Sequence, residues 1–230
     1  MFWIGKLGAR DVAAVAVTGS LFWVLYSFEG LISSGTIAII SRAAGANNSK
    51  LLKKGFSTSI IMAIILSSVL TIISIYFTED ILRLFGLTES VIGRGIPYMK
   101  IFIMGLVFLS VQDSIANTFY GLGNSRIPMI IIMISVVLNI ILDPFLIFGW
   151  HFFPEMGITG AALASLISLF VSFIISIIIF YRKLDIRGLD FDWSIIIAFL
   201  RIGIPAMFYT ITRPITGMVM YRIAAIFGTF

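Results

Sequence analysis

The sequence predicts an all-α integral membrane protein with about six transmembrane helices. Of its 230 residues, 60% are apolar and only 12% are charged, and the mean hydropathy is +1.10. A soluble domain carries roughly 25% charged residues because its surface must be hydrated. The apolar residues here are gathered into runs long enough to cross a hydrocarbon core of about 30 Å. Because backbone groups in lipid must be satisfied internally, we expect these runs to be helices.

Six apolar runs are separated by short connections rich in glycine, asparagine, serine and charged residues. None of the connections is long enough to form a separate soluble domain. The spans are predicted at approximately residues 12–40, 56–77, 96–119, 127–150, 160–181 and 195–221.

The basic residues predict the orientation in the bilayer. They give a net charge of +5 but lie in short loops, so they form no continuous face that follows a nucleic-acid backbone. One set of alternate connections carries the larger share of lysine and arginine, which places that set in the cytoplasm and residues 1–11 outside. We therefore expect a further helix before Met1, and the remainder of a longer polypeptide as a partner of this chain. The richer set consists of Arg42, Lys50, Lys53, Lys54, Arg126, Arg182, Lys183, Arg187 and Arg201.

The residue types argue against an enzyme. There are no cysteines, which excludes disulfides and thiol chemistry. The single histidine, His151, lies in a predicted loop, so no histidine-based metal site or catalytic triad is expected. We expect no enzymatic activity and no cofactor.

Asp143 is the main candidate for chemistry within a span. A carboxylate at the centre of a transmembrane helix costs about 2.5–3.5 kcal/mol on insertion scales, so it usually has a function. Asn139 is one helical turn earlier on the same face, and Pro144 leaves the carbonyl of Ile140 without its helical N–H partner. These oxygen ligands suit Na⁺, and the carboxylate can instead hold a proton. A purely structural hydrogen bond to a neighbouring helix is the alternative.

Several segments together resemble the MATE (multidrug and toxic compound extrusion) family of cation-coupled transporters. They occur in the family's order and cover essentially the whole chain. The resemblance implies a fold of twelve helices in two lobes, of which this chain supplies helices two to seven. Residues 1–190 then form the first lobe without its first helix, and residues 191–230 begin the second lobe. The matching segments are residues 4–9 with 13–16, 41–46, 121–129, 139–144 with 157–162, and 201–205.

The resemblance also implies a cation site in the first lobe. Some family members have an asparagine and an aspartate at the spacing of Asn139 and Asp143. Tyr98 and Asn117 lie near positions that the family uses around this site, and Thr159 is expected to add a hydroxyl. The family site takes a further aspartate from the end of its first helix, which falls just before Met1, so the site within this chain is expected to be incomplete.

Two other acids lie within predicted spans. Glu29, together with Gln112 and Asp113, is predicted to line a cavity for cationic substrates. Ion pairing of the two acids with a base inside the membrane is an equally good interpretation. In the last span, the pair 213–214 (Arg-Pro) predicts a kink, either for bending during transport or for packing. The candidate bases are Lys100, Arg213 and Arg222.

The predicted function is therefore that of an antiporter in the plasma membrane, which exports organic, cationic compounds in exchange for Na⁺ or H⁺ by alternating access. One alternative is a flippase for lipid-linked sugars from the related superfamily, which requires a basic cavity. The other is a fragment without function on its own.

Overall fold

The chain is all-α, as predicted. The computed structural model describes residues 2–84, 89–184, 190 and 192–226, and every regular element in these ranges is helical. A 3₁₀ turn at Ile4–Lys6 precedes the α-helices. In chain order these are α1 (Ala9–Ser27), α2 (Gly30–Gly45), α3 (Ser49–Tyr76), α4 (Thr78–Leu84), α5 (Glu89–Gly121), α6 (Arg126–Phe148), α7 (Ile158–Lys183) and α8 (Trp193–Ile226).

The first predicted span, residues 12–40, is broken in the structure. Within the described ranges, five helices are individually long and apolar enough to cross a membrane, and α1 with α2 makes a sixth span that is bent by 41°. At the break, the N–H groups of Phe28 and Glu29 bond to carbonyls three residues back, at 3.2 and 2.9 Å. This is the tighter 3₁₀ pattern. The hydroxyl of Ser27 also donates to the Trp23 carbonyl at 2.7 Å, a contact that favours bending.

The connection predicted at residues 78–95 is largely helical, which corrects the prediction. It contains α4 and the first turns of α5. Arg83 bonds Glu79 at 2.9 Å and Glu89 at 2.6 Å, and so links the two helices across the undescribed residues between them. In the structure Pro97 lies inside α5, which therefore lacks one N–H donor.

Helix α5 forms the centre of the bundle. It packs against α1, α2, α3 and α7, while α6 packs mainly on α7 and α8 packs on α2 and α1. The apolar side chains of α6 that point away from the bundle are exposed, as a surface in contact with lipid requires. These include Met129, Met133, Val136, Val137, Ile140 and Ile141.

The helix ends form two clusters, one at each end of the bundle. Ile40, Phe56, Phe119 and Phe180 pack together where α2, α5 and α7 end and α3 begins. The loops predicted to be cytoplasmic therefore share this end, which we call the inner end. The opposite, outer end contains a second cluster, made of Ile4, Ala14, Val15, Val91, Tyr98, Ile147, Ile158, Ala161 and Ala162.

Candidate cation-binding cavity

A cavity of about 250 Å³ lies in the outer half of the bundle, between α1, α5, α6 and α7. Asp143 and Asn139 reach it from α6 and Tyr98 reaches it from α5, so three of the predicted site residues meet there. The rest of the lining is mostly aromatic or small. It consists of Ile4, Val15, Gly19, Phe22, Trp23, Phe102, Ala161 and Ser165.

The polar atoms of the cavity are oriented by contacts between helices. The side-chain amide nitrogen of Asn139 donates a hydrogen bond to Ser165 Oγ on α7 at 3.2 Å. The amide oxygen therefore remains available as an acceptor. Asp143 makes no hydrogen bond and no ion pair with any other residue in the described ranges. A carboxylate, an amide oxygen and hydroxyl groups thus surround one space, which is the set of hard oxygen ligands that suits Na⁺ or a proton.

Ser165 was not among the residues predicted from the sequence. It lies four residues after Ala161, and both residues line the cavity because that spacing places them on one helix face. Three further serines continue a small polar stripe along the same helix, and their spacing is the signal that indicates the buried face. They are Ser168, Ser172 and Ser176, all buried.

Two predicted residues do not reach the cavity. The Thr159 hydroxyl donates to the Met156 carbonyl at 2.6 Å in the first turn of α7. Thr159 is two residues from Ala161 and therefore faces away, by about 200° around the helix. Asn117 is buried on α5, 19 residues beyond Tyr98 by number, so it lies about 28 Å away along the helix axis.

The outer end next to the cavity contains an ion pair. Arg94 Nη1 on α5 lies 2.6 and 2.7 Å from the two carboxylate oxygens of Asp11 in the first turn of α1. Asp11 is 7% exposed, whereas the arginine side chain is half exposed. This pair fixes the outer end of α1 against α5, and α1 forms one wall of the cavity.

The other predicted acids lie nearer the middle of the bundle, at the break between α1 and α2. The Ser110 hydroxyl on α5 lies within hydrogen-bonding distance of Glu29, and the hydroxyl of Tyr26 donates to Asp113. Gln112 faces the other way and accepts a hydrogen bond from Ser172 on α7 at 2.7 Å. The structure therefore brings Glu29 and Asp113 to one region but separates Gln112 from them.

The ion-pair interpretation of these acids finds no support in the described ranges. There, neither Glu29 nor Asp113 has a lysine or arginine nitrogen within 4.0 Å, and Lys100 is exposed. The side chains of Arg213, Pro214 and Arg222 lie outside the described residues, so the predicted kink and these two bases are not placed.

Comparisons with known proteins agree with this architecture. A family model described as MatE matches residues 1–145. The probable multidrug resistance protein YoeA of Bacillus subtilis is 34% identical over 215 residues, covering 90% of this chain and 46% of that protein. The multidrug export protein MepA of Staphylococcus saprophyticus is 31% identical over 236 residues, covering 100% of this chain and 51% of that protein.

A solved structure has the same fold. It is an inward-facing conformation of a multidrug resistance MATE family transporter of the MOP superfamily, with a TM-score of 0.88 and 24% identity. The match covers 96% of this chain and 51% of that one.

The long apolar helices and the similarity to multidrug export proteins together define a multi-pass protein of the plasma membrane. The family match makes this more specific, and the chain belongs to the MATE family. The chain spans about half the length of the curated relatives it matches.

Proposed function

We propose that the protein containing this chain exports organic cations across the plasma membrane in exchange for Na⁺ or H⁺, by alternating access, with Asp143 as the coupling site. The observation that carries the proposal is the meeting of Asp143, Asn139 and Tyr98 in one cavity of a MATE-family lobe. The names of the relatives describe multidrug export or resistance, and none of those names describes an enzyme. We therefore assign no catalytic step to this chain.

The chemistry of the cavity favours a cation. An unpaired carboxylate within a membrane is stabilised when a cation or a proton neutralises it. Asn139 and Ser165 supply further oxygens for a small hard ion. The aromatic rings of Phe22, Trp23 and Phe102 suit an organic cation, because cations are attracted to aromatic faces, more strongly when desolvated. A coupling ion and an organic cation that need the same carboxylate would exclude each other, which is the requirement for exchange.

The test uses the full-length protein in proteoliposomes with ethidium as the transported cation. An imposed inward gradient of Na⁺, or separately of H⁺, drives export in the wild type. We expect Asp143→Asn to reduce gradient-driven export to the level without a gradient while leaving membrane insertion intact. Thr159→Ala is the matched control, because its hydroxyl bonds to the Met156 carbonyl outside the cavity.

The outcomes separate the parts of the proposal. Export by Asp143→Asn at the wild-type rate overturns the assignment of the coupling site. Loss of export in Thr159→Ala as well would show that the assay reports general damage to the bundle. The gradient that supports wild-type export identifies the coupling ion as Na⁺ or H⁺.

A further inference from the structure

Glu29 has a carboxyl group that does not line the Asp143 cavity. It occupies the N-cap position of α2 at the break in the first span, without a capping hydrogen bond from its side chain, and is 2% exposed. It lies next to α5, where Ser110 and Asp113 are three residues apart and therefore on neighbouring parts of one helix face. No described lysine or arginine nitrogen lies within 4.0 Å of its carboxyl group. A buried carboxylate without a partner is strongly unfavourable, so its charge must be removed in another way.

Counting hydrogen-bond donors indicates how the charge is removed. Ser110 Oγ lies 2.5 Å from Glu29 Oε1 and 2.8 Å from the carbonyl oxygen of Leu106. A hydroxyl group has one proton, whereas an ionised carboxylate and a carbonyl are both acceptors only. Both contacts become hydrogen bonds when Glu29 is protonated: its O–H donates to Ser110 Oγ, and the serine donates to Leu106. Two oxygens that shared a metal ion would stand further apart than this pair does.

The neighbouring acid favours the same assignment. Asp113 already accepts a hydrogen bond from the Tyr26 hydroxyl, which stabilises its charged form. Two neighbouring carboxyl groups in a low-dielectric interior do not both ionise. The proton therefore belongs on Glu29, because Glu29 does not accept the hydrogen bond from Tyr26 that stabilises a charge on Asp113. The titratable groups that face Glu29 are Asp113 from α5 and Tyr26 from α1. On α8, the described atoms nearest Gly30 belong to Thr210 and Met207, neither of which titrates.

An unsatisfied hydroxyl extends this site by one turn. Contacts between α2 and α5 keep one register, because Glu29 with Ser110 and Ile40 with Gly121 are both 81 residues apart. The same register places Ser114 opposite Ser33, one turn further toward the inner end. Ser114 is 1% exposed, and its Oγ has no hydrogen-bond partner among the described residues. This hydroxyl adds a buried polar position one turn from Glu29, which the proton itself does not fill.

From these contacts we infer that Glu29 is a proton-binding site separate from the Asp143 cavity, with Ser110 as its partner and the Ser33 and Ser114 hydroxyls beside it. The ligand is one proton, which Glu29 takes from water and shares with Ser110. This inference goes beyond the proposed function and does not depend on it, because the proton is bound at equilibrium without transport.

Infrared spectroscopy of the purified full-length protein in detergent tests the site. A protonated carboxylic acid has a carbonyl stretching band that an ionised carboxylate lacks. We expect the difference spectrum between the wild type and Glu29→Gln at neutral pH to contain this band, because the difference removes the contribution of every other protonated carboxyl group. Ser110→Ala should move the band to higher frequency because the hydrogen bond is lost. Ser168→Ala is the matched control, because within the described part of the chain this buried serine bonds only the Ala164 carbonyl of its own helix.

The variants also separate this site from the Asp143 cavity. Asp143→Asn should leave the Glu29 band in place, whatever its effect on export. The assignment is overturned if the difference spectrum for Glu29→Gln lacks the band, or if the band appears instead in the difference spectrum for Asp113→Asn. If Glu29→Gln does not fold, Ser110→Ala alone decides, because an unshifted band in that variant contradicts the proposed hydrogen bond.

Discussion

The contact between α6 and α7 at Gly160 allows a quantitative test of how closely the cavity is packed. A Cβ atom added at Gly160 would lie 2.2 Å from the Leu146 carbonyl oxygen and 2.5 Å from its carbon. Both atoms belong to the backbone and cannot rotate away. Ordinary contact begins at 3.4 Å, so Gly160→Ala requires the helices to separate by about 1 Å.

The expected loss of stability follows from two opposing effects. Overpacking a fitted contact costs about 1–3 kcal/mol, and a contact with rigid backbone belongs near the upper limit. Replacing a helical glycine by alanine contributes about 1 kcal/mol in the other direction. We therefore expect Gly160→Ala to lower the free energy of unfolding by about 2 kcal/mol. The separation should also lengthen the 3.2 Å hydrogen bond between Asn139 and Ser165, which joins the same two helices.

The assay is thermal unfolding of the full-length protein in detergent, together with binding of the coupling cation. Gly93→Ala is the matched control, because a Cβ atom at Gly93 in α5 meets nothing within 4 Å. This control should be neutral or more stable by up to about 1 kcal/mol. A Gly160→Ala protein that melts at or above the wild-type temperature would refute the packing argument.

Two further predictions concern ion pairs at the ends of the bundle. Arg94→Met should lower the melting temperature, because it leaves the buried carboxylate of Asp11 unpaired at a cost of about 1–3 kcal/mol. Adding Asp11→Asn to the Arg94→Met protein should restore part of the lost stability. An unchanged melting temperature for Arg94→Met would contradict this prediction. At the inner end, hydrogen bonds from Lys54 and Ser194 hold the pKa of Asp192 well below its ordinary value of 3.8. Because the pKa of Asp192 is lower in the folded than in the unfolded protein, its ionised form stabilises the fold at every pH above the unfolded-state pKa. The stability advantage of the wild type over Asp192→Asn should therefore be complete at neutral pH and decline as the pH falls below 3.8. Melting temperatures of both proteins measured across that pH range test this.

The polar residues of α6 could be predicted because their relation is local. Asn139 and Asp143 are four residues apart, and any helix puts them on one face. The residues contributed by α7 could not be predicted, because their direction depends on how α7 is rotated against α6. The sequence predicts a hydroxyl from Thr159 or a neighbour on the same helix, whereas the rotation of α7 brings Ser165 to the cavity.

The break in the first span also has a tertiary cause. Residues 27–30 contain no proline, so the local sequence gives no strong signal for a bend. The Ser27 carbonyl accepts a hydrogen bond at 3.0 Å from Thr210 on α8. A Cβ atom at Gly30 would lie 2.7 Å from Thr210 Oγ1, so this glycine permits the close approach of α8. The bend is stabilised by a helix more than 160 residues away in sequence.

This origin of the bend connects the two polar regions of the lobe. Phe22 and Trp23 of α1 form one wall of the Asp143 cavity, and Tyr26, one turn further along α1, bonds Asp113 beside Glu29. On α5, Tyr98 and Ser110 are 12 residues apart by number, about 18 Å along the axis, so the two regions lie at different depths. Because α1 is a continuous helix between them, a change in the angle at the break moves the cavity wall and the surroundings of Glu29 together. Contacts of α8 with the break therefore bear on both regions, although none of the described side chains of α8 lines the cavity.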